Sequence, residues 1–240
     1  MLVGGLDNLV IGVILIGVLS VVMHVTRALT LDGIIASVIM GLTILVLSSM
    51  LGFITLLLFL IVGSAATFIG KNRKRSLESL DIKDVFGRSA YNVMSNGIVP
   101  MVLSSLHLLN MGRDLVNIAY LASISAVLAD TLGSEIGVLS RRVYLITNFK
   151  RVPPGTNGGV SLLGTGATLL GALIVGIMAI PYGYGVLGVI LVMVSGFLGA
   201  FVDSLLGATL EARGTLDKGG VNMLCSASAA AIATFLFVIL

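Results

Sequence analysis

Charged residues occupy only 10% of the 240 positions, against roughly 25% in soluble domains. With 57% hydrophobic residues and a mean hydropathy of +1.14, that scarcity excludes a water-soluble domain. The single cysteine, Cys225, excludes an internal disulfide. The two histidines, His24 and His107, stand far apart with no cysteine partners, which argues against a zinc site. The Walker A motif, the protein-kinase catalytic loop, the Gly-x-Ser-x-Gly elbow and the His-Glu-x-x-His pair are all missing. Any phosphate chemistry must therefore use a membrane-specific scaffold. A sequence pI near 9.2 does not argue for nucleic acid, because the cations lie in short loops between apolar segments. The first apolar run follows Asp7 and Asn8 rather than a basic stretch, so it reads as a retained helix and not as a leader.

What the chain has instead is a succession of apolar segments, at about 9–25, 32–48, 52–70, 90–109, 115–136, 160–180, 185–207 and 221–239. A bilayer span needs about 20 mostly apolar residues. The pattern predicts an all-α, polytopic membrane helix bundle of about eight transmembrane helices, one domain over residues 1–240. The run 33–70 is too long for one helix and suits two joined by a tight turn near Ser48 and Ser49. With eight helices, thirteen of the fourteen Lys and Arg fall on one side, and only Arg113 lies opposite. The positive-inside rule makes that side cytoplasmic. It places both termini outside and the loops 71–88, 137–159 and 208–220 inside, as in a multi-pass protein of the cell membrane. The charged 71–88 loop either lies on the membrane surface or covers a site.

The acidic residues point the same way. The fifth helix runs inward and ends with Asp130 and Glu135, and the seventh runs inward and ends with Asp203. The fourth carries Asn92 and Asn96 in its cytoplasmic half. Asp130 and Asp203 have apolar neighbours on both sides, and a short carboxylate cannot snorkel far. Burying one unpaired costs several kcal/mol, so both are candidate functional residues. Glu211, just beyond the seventh helix, reads equally well as a group that reaches water.

One loop carries most of the remaining polar signal. In Lys150-Arg151-Val152-Pro153-Pro154-Gly155-Thr156-Asn157-Gly158-Gly159-Val160-Ser161 two prolines stiffen the start. Gly155, Gly158 and Gly159 allow backbone geometries closed to other residues. Thr156, Asn157 and Ser161 offer hydrogen bonds at the start of the sixth helix, and Lys150 and Arg151 add charge. Such a segment can form an anion-binding nest; an ordinary capped turn is the plainer alternative.

Two stretches also look alike. Asp130-Thr131-Leu132-Gly133 followed by Gly158-Gly159-Val160-Ser161 parallels Asp203-Ser204-Leu205-Leu206-Gly207 followed by Gly219-Gly220-Val221-Asn222. They predict a parallel repeat of helices five–six and seven–eight. An acid-plus-hydroxyl helix end supplies oxygen ligands for Mg²⁺, and a Gly-Gly helix start supplies N–H groups for phosphate. Gly164, Gly166, Gly171, Gly196 and Gly199 read as residues for close helix packing.

The segments Gly87–Gly97, Ala129–Gly137, Pro154–Ser161 and Asp203–Ala208 resemble the motifs of the transmembrane protein 19-like family. That family was long catalogued as a domain of unknown function and includes the plant phytyl-phosphate kinase. The similarity spans about residues 5–240. Gly133 departs from it, where the plant-like pattern has alanine. The resemblance implies a CTP-dependent, Mg²⁺-requiring kinase that converts an isoprenyl monophosphate, such as phytyl or geranylgeranyl phosphate, to the diphosphate. Asp130, Glu135 and Asp203 would hold the metal. Gly155, Thr156, Asn157, Gly158, Gly159, Ser161, Ser204, Gly219 and Gly220 would cradle phosphates. Arg88, Lys150 and Arg151 would offset acceptor charge, and Asn92, Asn96 and Asn222 would orient the reactants. The acids and the loop would equally serve a cytidylyltransferase making a CDP-linked lipid. A transporter is the third reading, disfavoured because its acids normally sit near the bilayer midplane.

Overall fold

The structure, a computed structural model, describes residues 6–70, 88–109 and 112–240. The 71–88 loop, apart from Arg88, and Gly87 of the first motif lie outside the described residues. Eight α-helices occur among the described residues: α1 (Leu6–Thr26), α2 (Leu31–Leu47), α3 (Met50–Phe68), α4 (Ala90–Ser105), α5 (Arg113–Gly137), α6 (Leu162–Gly176), α7 (Gly185–Leu206) and α8 (Lys218–Ile239). Six are long and apolar enough to cross a membrane, counting α6 and α7 with the short turns that continue them. Of the others, α2 is a 17-residue apolar helix, and α4 has 16 residues with Pro100 inside it. The protein is a polytopic all-α membrane bundle.

The apolar run 33–70 divides at Ser48-Ser49. Ser49 caps α3, its hydroxyl accepting from the Gly52 amide at 3.1 Å, so only two residues separate the new helix from the old one. The 137–159 loop has structure of its own. Strands β1 (Val143–Leu145), β2 (Arg151–Val152) and β3 (Gly159–Val160) form a small antiparallel sheet in the order β2-β1-β3. Nothing in the loop's composition announces it. Pairs this short depend on the helices they rest on.

Helix α5 is the axis. It packs against α3, α4, α6, α7 and α8, and every residue from Ile118 to Ala129 is buried. Its polar groups are matched across helices. The Tyr120 hydroxyl donates to the Gly52 carbonyl at 2.7 Å, Ser125 to Ala172 at 3.2 Å, and Ser226 to Ser123 at 3.3 Å. Bonds of this kind are worth about 1 kcal/mol in bilayers. Close approach does the rest. A Cβ at Gly171 would lie 2.8 Å from the Leu128 carbonyl oxygen, one at Gly199 would lie 2.8 Å from the Ala126 Cβ, and one at Gly196 would strike Ser125. Gly166 is different: nothing lies within 4 Å of its Cβ position, so it is not a packing glycine here. By contrast α1 is peripheral, with only Gly12 and Met23 buried.

The bundle is polarised end to end. One end gathers the α1–α2 connection, the start of α4, the sheet and the α7–α8 connection. The Arg88 amide donates to Ala28 and its carbonyl accepts from Thr30, while the Asp32 carboxylate accepts from the Ala90 amide at 2.8 Å. Of the nine Lys and Arg among the described residues, only Arg113 lies at the other end, where Asp114, Asn117 and Tyr184 are hydrogen-bonded.

Replacing Gly171 by Ala is expected to lower stability by about 1–3 kcal/mol through overpacking, while Gly166→Ala is neutral. Thermal unfolding of both variants in detergent checks this, and equal shifts would contradict the packing described.

Candidate active site

Asp130 on α5 and Asp203 on α7 come together at the polar end. Their carboxyl groups are close enough to act on each other electrostatically. The Asp203 Oδ2 is shut off from solvent and, among the described residues, has no hydrogen-bond partner. Both line a cleft of about 400 Å³, within the size range of sites for small molecules and cofactors. Ser204, Gly155, Thr156, Asn157, Gly158, Gly159, Ser161 and Asn222 line it too. Segments far apart in the chain, from the repeat-like helix ends and from the loop, thus face one space.

Two lining residues carry weight the sequence reading did not give them. Lys218, the first residue of α8, acts electrostatically on both aspartates and on Glu211. Glu211 is drawn in because α7 ends in a π-helical turn, Gly207–Glu211. The Asn157 side chain faces it across the cleft. Such turns recur at functional sites. The available signal was spacing: Lys218 and Asn222 are four apart and share a helix face.

The loop is held by two successive turns. Gly155, at φ +87°, follows two prolines, and the Thr156 amide closes the turn on the Pro153 carbonyl at 3.3 Å. The Gly159 amide closes the next on Thr156 at 2.9 Å, with Gly158 at φ +72°. These are the positions at which glycine follows proline or precedes a strand without strain. Gly158 also rests against Ala208 of the π-helical turn, where a Cβ would lie 2.6 Å from the Ala208 amide nitrogen. Two amides of the expected nest are therefore used within the loop, as is the Ser161 hydroxyl, which caps α6 through Gly164 at 3.0 Å.

Other expected residues lie elsewhere. Glu135 is five residues after Asp130, about 140° further round the helix. It accepts from Thr67 at 2.9 Å and pairs with Arg88 at 3.7 Å, outside the cleft. Arg88, Asn92 and Asn96 line a separate cavity. Lys150 and Arg151 are exposed on the β1–β2 hairpin, away from the cleft lining.

Gly219 and Gly220 do not form a turn before α8 but its first turn. The Gly219 amide donates to the Tyr91 hydroxyl at 2.9 Å and the Gly220 amide to Asp217 at 2.8 Å. Their N–H groups are taken, and the aligned pair Gly158-Gly159 runs instead into β3. The Tyr91 hydroxyl also donates to Asp217 at 2.7 Å. That bond, followed by the Gly220 amide, holds the Asp217 carboxyl below the ordinary carboxylate value of 3.8.

Among the described residues no group of three or more His, Cys, Asp or Glu converges to hold a metal ion. The aspartate pair with its orphaned Oδ2 nevertheless suits Mg²⁺. That ion usually keeps several waters and takes only one or two carboxylates beside substrate phosphates.

Comparison with known proteins agrees with this setting. The family model described as integral membrane protein DUF92 matches residues 14–234. An uncharacterized membrane protein of Methanocaldococcus jannaschii is 33% identical over 92% of this chain and 91% of its own. Protein PGR of Arabidopsis thaliana is 30% identical over 66% of this chain and 64% of its own. The chloroplastic protein VTE6 of the same plant is 29% identical over 59% of this chain and 44% of its own. No solved structure matches.

Two outcomes follow from this geometry. Gly158→Ala meets both left-handed strain, about 1–2 kcal/mol, and the contact with Ala208. Gly214→Ala, at φ +71° with open space around it, meets only the strain. Limited proteolysis of the 143–160 loop is expected to accelerate in the first variant alone. The second concerns acid. A depressed carboxyl contributes stability above its unfolded value that is lost as pH falls through its folded value. Tyr91→Phe should therefore move Asp217 titration up toward its ordinary range, which carboxyl NMR of labelled protein detects.

Proposed function

The chain belongs to the DUF92 family of integral membrane proteins, and on that footing we propose that it is a kinase using CTP to phosphorylate an isoprenyl monophosphate. The similarity to the chloroplastic protein VTE6, with the motif resemblance to a family that includes a plant phytyl-phosphate kinase, supports the reaction class. The carrying observation is the Asp130–Asp203 pair, with its orphaned Oδ2 shut off from solvent, set against a Gly-rich loop and Lys218 in one cleft. Two adjacent carboxylates repel unless a proton or a cation lies between them, and phosphate sites are where bound cations and loops of backbone amides meet.

In this reading a non-bridging oxygen of the acceptor phosphate attacks the γ-phosphorus of CTP. The bond from that phosphorus to the β–γ bridging oxygen breaks, and CDP leaves. The acceptor is already an ionised nucleophile, so no general base is needed. Positioning and charge neutralisation carry the rate. Lys218 offsets phosphate charge at the start of α8. The 155–159 loop, with Asn157 facing Glu211, shapes the wall against which phosphates lie, and Asn222 supplies a side-chain amide one turn beyond Lys218. Mg²⁺ bound at Asp130 and Asp203 would neutralise triphosphate charge. The cationic end of the bundle would face the cytoplasm under the positive-inside rule.

Purified protein supplied with geranylgeranyl phosphate, Mg²⁺ and labelled CTP should form the diphosphate and release CDP. Released pyrophosphate would instead establish a cytidylyltransferase. Asp203→Asn should lower kcat/KM by about 10²–10³, and wild-type turnover in that variant would remove the assignment.

A further inference from the structure

The cleft that holds Asp130 and Asp203 has walls of two kinds. Beside the acids, Lys218 and the Gly-rich loop, it is lined by Val143, Ile146 and Phe149. All three belong to the β1–β2 hairpin, beyond the ends of α5 and α6. Val143 and Ile146 are buried, as apolar side chains beneath a small sheet should be, but Phe149 is 74% exposed.

Phe149 is also held in a backbone conformation that suits it badly. Its φ is +52°, one of two positive values at non-glycine residues among those described. The hairpin imposes this. The Leu145 amide donates to the Lys150 carbonyl at 2.8 Å, and the Leu145 carbonyl accepts from the Phe149 amide at 2.8 Å. The Lys150 amide, which would otherwise complete the pair, donates to the Asn148 side chain at 2.9 Å. Four residues thus turn the chain, and the last of them is left-handed, a position that glycine or asparagine fills with least strain. Burial does not explain a bulky aromatic there, since most of the residue is open to solvent. Residues held in such conformations cluster where ligands are gripped.

We propose that Phe149 is the platform on which the base of a nucleoside triphosphate stacks, with the phosphates running from there toward the acids, Lys218 and the 155–159 loop. The proposal rests on the kinase reading, whose donor is a nucleotide, and gives that donor's base a place. The cleft, at about 400 Å³, is in the range that takes such a molecule. One part of its wall offers charge and polar side chains and another a flat apolar ring, which match the two halves of a nucleotide. The ring's position favours a base over a hydrocarbon tail. It stands between Asn148 and Lys150 on a polar hairpin past the helix ends, where a water-soluble ligand arrives and a lipid tail does not. Stacking is indifferent to which base is bound, because every base has a π-face. Phe149 therefore supplies affinity for the base and leaves the choice among bases to other groups.

The test is direct binding of CTP and of tripolyphosphate, each with Mg²⁺, to the full chain in nanodiscs. Phe149→Ala should weaken CTP binding about tenfold or more and leave tripolyphosphate, which has no base, unchanged. Phe149→Gly should lose CTP in the same way yet unfold no earlier than the wild type, because glycine relieves the left-handed strain. A ring that merely held the loop would cost stability instead. The chain has no tryptophan, so Phe149→Trp places a single reporter at the site; CTP should quench its emission and tripolyphosphate should not. Wild-type CTP affinity in the alanine and glycine variants, equal loss of both ligands, or early unfolding of Phe149→Gly would overturn the proposal. So would emission from Phe149→Trp that ignores CTP but is quenched by brominated lipid, which would make the ring a membrane anchor. CTP binding that depends on Phe149, with no diphosphate formed, would uphold this site and remove the kinase reading. Diphosphate formation with CTP binding indifferent to Phe149 would do the reverse.

Discussion

The contact between α5 and its neighbours is the constraint on which the other features depend. A helix buried on all sides in a membrane bundle gains little from the hydrophobic effect, since lipid is as apolar as its own side chains. It must gain from packing density and from matched polar groups. Gly171, Gly196 and Gly199 supply the first by letting backbones approach, and Tyr120, Ser125 and Ser226 supply the second. Because α5 is fixed in this way, Asp130 near its polar end is held facing the cleft. The π-helical turn in α7 and the start of α8 then have to meet it, which brings Glu211, Lys218 and Asn222 to the same space.

The cations around the site come from separate helix ends. Cationic Arg88 and Lys218 both act on Asp130, one from the start of α4 and one from the start of α8. Each is carried by backbone that is itself anchored: Arg88 between Ala28 and Thr30, Lys218 behind the Tyr91–Asp217 cap. Asp32 and Asp217 are thus helix-end residues whose value is to place a cation. Neither stands out in the sequence, where both look like ordinary charges in short loops.

The motifs were legible where local chemistry decides. Pro153-Pro154-Gly155 reads as a turn and forms one, because proline fixes φ and glycine alone tolerates the left-handed position that follows. Asp130 and Asp203 stood out because an acid flanked by apolar residues needs a reason. Glu135 shows where reading along the chain misleads. Five residues on a helix look adjacent in sequence yet point well apart, so its partners are Thr67 and Arg88. Gly219 and Gly220 show the same from the other direction. Whether a glycine pair opens a helix or lies inside its first turn depends on where the cap falls, and Asp217 sets the cap two residues earlier.

The sequence by itself determined the membrane class, the helical architecture, the family and the concentration of cations between particular helices. Those follow from composition and from spans of fixed length, which every residue in a segment reports together. Only the tertiary structure decided which polar groups share a cleft, that Glu211 and Lys218 belong with the aspartates, and that Arg88 lines a different cavity. Such facts rest on the rotation of each helix about its axis and on a one-residue change of pitch in α7. No local pattern encodes them, because they are set by which neighbours a helix can approach.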